Sequence, residues 1–170
     1  MLHQLGSGVE AVQPLNVAAE EDELKKSLNK SGKNIKYIRK FATVSELRQL
    51  ITLGTQIIHY CGHGIPKSLI FESENNIGFS QRFYPNQLRN LILVGSDDSI
   101  HDINGIPKYK KPNKQGFLHN KLQLVFVSAC HSKDAGQAFV KAGAKHVVAV
   151  KREAEMHDVA AKTFASQFYL

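Results

Sequence analysis

Apolar positions follow two rhythms along this chain, one with a period near four residues and one of short unbroken runs. AAEEDELKKSLNK (18–30) has acids in its first turn and lysines towards its end, as a helix dipole favours, and Ser31-Gly32 stops it. Residues 34–39, NIKYIR, alternate polar and apolar, which predicts a strand with one buried face. Thr43 then opens VSELRQLI. Thr-Val-Ser-Glu predicts a capping box with Glu46 at the third helical position, and Leu47, Leu50 and Ile51 form the apolar stripe. TQIIHYCGHG (55–64) is a β-rich run that breaks abruptly at glycines.

SLIFES (68–73) and NIGFSQ (76–81) predict a hairpin turning at Asn75-Asn76. PNQLRNLILV (85–94) places Pro85 at a first helical position. Residues 95–121 are polar, contain Gly105, Pro107, Pro112 and Gly116, and carry lysines in their second half, which predicts a long basic loop. LQLVFVSAC (122–130) is a continuous apolar run, the pattern of a strand covered on both faces. A helix over DAGQAFVKAG (134–143), ending at Gly143, follows. HVVAV (146–150) predicts a second buried strand. The last helix carries Ala160, Phe164 and Phe168 at i, i+4 and i+8.

Strand–helix alternation with Val/Ile/Leu-rich strands implies an α/β fold with a doubly wound, mainly parallel sheet flanked by helices. At 170 residues the chain is expected to be a single domain, 1–170. No convincing strand precedes the first helix and no stop signal ends the last, so the domain reads as truncated at both ends.

Composition narrows the class. A 42% apolar share with nine Phe and five Tyr is enough for a core. No apolar run approaches the roughly 18 residues of a membrane span, and the start lacks a signal-peptide pattern. Two cysteines cannot form a disulfide framework. An intracellular chain, cytoplasmic and without a membrane partner, is expected. The formal net charge of +7 comes from scattered lysines, with one cluster at Lys108–Lys114. Such a balance suits a solvated surface better than a nucleic-acid interface, which would show binding that weakens steeply with salt.

In open parallel sheets, reactive groups collect at the carboxyl ends of strands. His63 closes IIHYCGH and Cys130 closes LQLVFVSAC. If those strands are neighbours, about 4.8 Å apart, imidazole and thiol enter one crevice. A nearby imidazole or helix start raises the thiolate fraction of a cysteine. Gly62 and Gly64 let the backbone turn sharply and uncover amide N–H groups, as an oxyanion hole needs. Each residue taken alone has a plainer reading: Cys130 as a small core residue, His63 as a hydrogen-bonded structural one.

HYCGHG (59–64), LVFVSACHS (124–132), GQAFVKAGAKHVVAV (136–150) and DVAAKTFASQFY (158–169), in that order, resemble the CHAT domain. This is a caspase-like domain often found beside tetratricopeptide repeats and related to caspases, metacaspases and separases. The resemblance covers roughly residues 15–170. It implies a caspase-like fold and a cysteine endopeptidase with His63 as catalytic histidine and Cys130 as nucleophile. The backbone N–H groups of Gly64 and Cys130 would hold the oxyanion, Ser128 and His131 would border the substrate pocket, and His59 would be structural. Metacaspases carry an acidic residue two positions before the nucleophile that helps select Arg or Lys. That position is Ser128 here, so the resemblance does not carry over a preference for basic residues. No cofactor is implied. The partners it implies are a protein or peptide substrate and a regulatory partner or repeat module.

Other constellations are weaker. Gly6-Ser-Gly8-Val-Glu-Ala11 matches GxGxxA, but no strand precedes it and Pro14 interrupts the helix it should open. Cys61, His63, Cys130 and His131 lack the usual spacing of zinc ligands. Asp97, Asp98 and Asp102 read as solvated surface, with a weak calcium or substrate-pocket alternative. Lys108–Lys114 reads as a solvated loop, or by analogy with caspases as an activation loop. The rival to an active peptidase is a catalytically silent caspase-like interaction module.

Overall fold

The computed structural model describes residues 15–75, 78–95, 122–151 and 158–170. Two helices, α1 (Val17–Lys30) and α2 (Val44–Thr52), precede strand β1 (Ile57–Cys61). Strands β2 (Gly64–Ile65), β3 (Ser68–Glu72) and β4 (Ser80–Phe83) lead into α3 (Pro85–Gly95). Then come β5 (Leu124–Ser128), α4 (Lys133–Lys141), β6 (His146–Ala149) and α5 (Asp158–Phe168). β1, β5 and β6 form a parallel sheet in that order, and β2, β3 and β4 a small antiparallel one.

Alternation along the central strands sends side chains to two helical layers. His59 and Phe126, register partners on β1 and β5, face α1 and α5: His59 stacks on Phe126 at 4.8 Å, and Phe126 meets Phe164, Phe168 and Tyr169 of the α5 segment. Ile58, Tyr60, Val125 and Val127 face the opposite way, into a core completed by Leu88 and Ile92 of α3 and Phe139 of α4. The doubly wound α/β expectation therefore holds. Val125 and Val127 at the centre of the sheet have virtually no exposure.

Local signals were obeyed where they depend on near neighbours. Asn16 caps α1, accepting from the Ala19 N–H at 3.1 Å. Thr43 caps α2, accepting from the Glu46 N–H at 3.2 Å. The capping box is only half made, because the Glu46 carboxylate turns to Lys40 at 2.9 Å. Gly143, at φ 103, ends the α4 turn, a conformation open to glycine at little steric cost. Gly136 lets α4 lie against β6, where a Cβ would come within 2.9 Å of the Ala149 methyl.

Four expectations need correction. Residues 34–39 form no strand; they run exposed, with Ile38 at 48% exposure. Alternation makes a strand only when a ladder partner is available, and β1 is paired with β5 alone among the described residues. The segment is held instead by side chains, Arg39 to Glu21 at 2.7 Å and the Lys25 ammonium 5.3 Å from the Tyr37 ring centre. Among the described residues β6 is an edge strand with exposed and half-buried positions, not a buried one, since only β5 pairs with it there. On α5 the buried positions are Ala161 and Ala165, not the Ala160/Phe164/Phe168 stripe; Phe164 is 52% exposed. Small residues let α5 approach α1 closely, while its Phe rings reach Phe126 from the flank. The predicted hairpin forms, with its second strand at 80–83 rather than 76–81. Asn76, residues 96–121 and the Gly6–Ala11 motif lie outside the described residues, as do the loop acids and the lysine cluster.

Candidate active site

The site is built by the register of two parallel strands. Cys61 of β1 is the partner of Ser128 of β5, and the Gly62 N–H donates to the Ser128 carbonyl at 3.2 Å. His63 and Cys130 each lie two residues further on. The two chains stay together past the strand ends: a Cβ on Gly64 would overlap the Cys130 carbonyl oxygen and lie 3.3 Å from the Ala129 methyl. Only glycine admits that approach. His63 and Cys130 border one cavity of about 40 Å³.

His63 is held from behind by its own carbonyl. The Ile70 N–H donates to it at 3.0 Å, and the Tyr60 hydroxyl lies 3.1 Å away while donating to the Ile70 carbonyl at 2.6 Å. Burial, joined by the nearby Cys61, pushes the Tyr60 phenol far above its ordinary value. On the other strand, Ser132 is buried. Its hydroxyl accepts from the Val150 N–H at 2.9 Å and reaches the Val127 carbonyl at 3.4 Å, tying the turn after Cys130 to the exit of β6. Between them His131 takes φ 51, the left-handed region, and α4 begins at Lys133. Cys130 thus sits in a tight strand-to-helix turn, three residues ahead of a helix N-terminus.

Of the remaining sequence-derived residues, Ser128 borders the cavity; His131 is half-buried and is not among the lining residues. His59 also stays outside it, stacked on Phe126 and bonded to Tyr169 (3.2 Å) and Glu20 (3.0 Å).

Glu20 was missed by sequence reasoning. It is 7% exposed, yet its carboxylate borders the cavity, accepting from Cys61 Sγ at 3.0 Å, from His59 Nε2 and from the Ser128 side chain. Burial by itself would raise this carboxyl, but the hydrogen bonds from His59, Cys61 and Ser128 outweigh it and hold the group below its ordinary value. A signal was present. Glu20, Leu24 and Ser27 share the buried face of α1 at i, i+4 and i+7, so an acid falls on the stripe facing the sheet.

Among the described residues, no group of three or more His, Cys, Asp or Glu is arranged to hold a metal ion, and no helix is long and apolar enough to cross a membrane. Neither cysteine is in a disulfide.

A parallel sheet wrapped by helices on both faces, with histidine and cysteine meeting at the ends of adjacent strands, defines a caspase-like α/β protein. The family model of the CHAT domain matches residues 7–170, and the chain belongs to that family, within the caspase-like cysteine peptidase superfamily. No curated protein matches the chain.

Proposed function

We propose that this CHAT domain is a cysteine endopeptidase acting on protein or peptide substrates. The observation that carries the reading is the shared cavity of His63 and Cys130, at the same offset beyond paired strands. His63 takes the Cys130 thiol proton, and the thiolate sulfur bonds to the scissile carbonyl carbon. The carbonyl oxygen becomes an oxyanion, received by the backbone N–H groups of Gly64 and Cys130. As the C–N bond breaks, His63 returns the proton to the leaving amine. Water, deprotonated by His63, then releases the acid and regenerates the thiol. The fixed carbonyls of His63 and Cys130, one held by Ile70 and the other packed on Gly64, support this reading because acyl transfer needs preset geometry.

Peptide-library cleavage by the full chain, with Cys130→Ala as control, tests it. Cleavage abolished by that substitution is expected. No cleavage, together with iodoacetamide labelling of Cys130 no faster than that of Cys61, would leave a caspase-like module without peptidase chemistry.

A further inference from the structure

We infer that residues 34–41 are a preformed docking strand, which takes an acidic and aliphatic segment of a partner protein by strand addition. The surface stands apart from the peptidase reading, since neither His63 nor Cys130 enters it.

The stretch keeps the two-faced alternation of a strand although it lacks a ladder. Tyr37 and Arg39, two positions apart, both reach Glu21 of α1, whereas Lys40 turns to Glu46 and Gln49 of α2. Side chains thus pin it from both faces before any partner arrives, which lowers the ordering cost of binding. Its backbone is open. Among the described residues, no N–H or carbonyl of residues 34–40 bonds to another backbone group. A row of such groups is the template an added strand uses.

The surroundings of that backbone are apolar and cationic. Ile35, Ile38 and Phe41 are exposed, and exposed Leu53 continues the α2 face of Glu46 and Gln49 at i, i+3 and i+7. Arg39 and Lys40 are matched by Glu21 and Glu46, but no ion pair among the described residues involves Lys33 or Lys36. A second copy is a poor occupant, because pairing this stretch with itself sets cations against cations. An anionic membrane would leave the open backbone groups facing lipid. A nucleic acid would meet the lysines but supply no ladder and leave the isoleucines uncovered. A protein strand with carboxylates opposite Lys33 and Lys36, and aliphatic side chains against Ile38 and Leu53, satisfies backbone, apolar surface and charge together.

The test uses the full chain and a fluorescein-labelled decapeptide of alternating Glu and Val. This probe is expected to bind at least about tenfold more tightly than its Lys/Val and Glu/Ser counterparts. Lys36→Glu should weaken it by roughly 3- to 10-fold and Lys36→Arg should leave it unchanged, both at exposed positions that spare the fold. Amide hydrogen exchange followed by NMR locates the contact. Residues 34–40 should exchange fast in the free chain, and alternate amides among them should slow at least about tenfold with the peptide bound. Failure of the peptide to bind, equal binding of the Glu/Val and Lys/Val peptides, or binding that leaves these amides unprotected overturns the assignment. So does protection of the same amides by self-association, by phosphatidylserine vesicles or by a single-stranded oligonucleotide in place of the peptide. The peptidase reading is untouched by any of these results.

Discussion

Glu20 Oε1 and His59 Nε2 lie 3.0 Å apart, joining the first turn of α1 to the middle of β1 under the floor of the cavity. The contact makes stability acid-sensitive in a defined direction. The Glu20 carboxyl is lowered from 4.5 in the folded chain, so its contribution is complete above about that pH and is lost as pH falls through the folded-state value. Urea denaturation should show Glu20→Gln less stable than the parent by roughly 1.5–3 kcal/mol at neutral pH. The gap should close as pH falls through the lowered folded-state value of Glu20, and a gap independent of pH would contradict the assignment.

Gly64 has no room for a methyl group. Its neighbour there is the Cys130 carbonyl, part of the backbone, which cannot swing aside like a side-chain tip. Gly64→Ala is expected to destabilise by about 1–3 kcal/mol and to abolish cleavage. Gly32→Ala is the contrast: a Cβ there meets open space, and only its φ of 66 opposes the change. Its effect should be limited to stability, with cleavage unchanged.

His63→Ala should lower kcat by roughly 10²–10⁴-fold if the imidazole carries protons in both half-reactions. Its effect and that of Cys130→Ala should be far from additive, since the two act as one unit. Independent, multiplying effects in the double variant would argue against a dyad.

Tyr60 and Tyr169 both have phenols raised above 10.0 mainly by burial, joined by Cys61 for the first and Glu20 for the second. A neutral acid raised in the folded state stabilises fully below its unfolded value and loses that contribution as pH rises beyond it. Ultraviolet titration should therefore show Tyr60 and Tyr169 ionising late, together with alkaline unfolding, and Tyr37, also raised by burial and by Glu21, joining the late group. Tyr60→Phe should remove one late phenol and cost about 1–3 kcal/mol, because the Ile70 carbonyl loses its 2.6 Å donor.

Wherever a structural feature follows from residues within a few positions, it could be read from the chain alone. The helix over 18–30, the Thr43 cap, Pro85 opening α3 and the apolar run of β5 are all of this kind. So was the placing of His63 and Cys130 just past strand ends, because the first β-rich run breaks at glycines and the second gives way to the polar His131-Ser-Lys-Asp stretch. Pairing is different. Residues 34–39 have the alternation of a strand but no ladder, and β6 has the apolar content of a central strand but stands at the edge. Which face of α5 is buried was decided by the space beside α1, which favoured Ala161 and Ala165 over the larger Phe residues. Glu20 is the clearest case. A helix acid near an N-terminus reads as a dipole partner, and only the packing of α1 against β1 and β5 turns it into a buried carboxylate facing Cys61 and Ser128. Local backbone preference is encoded in adjacent residues; strand order, edge position and the surroundings of a buried charge depend on contacts between segments far apart in the chain, which no local pattern specifies.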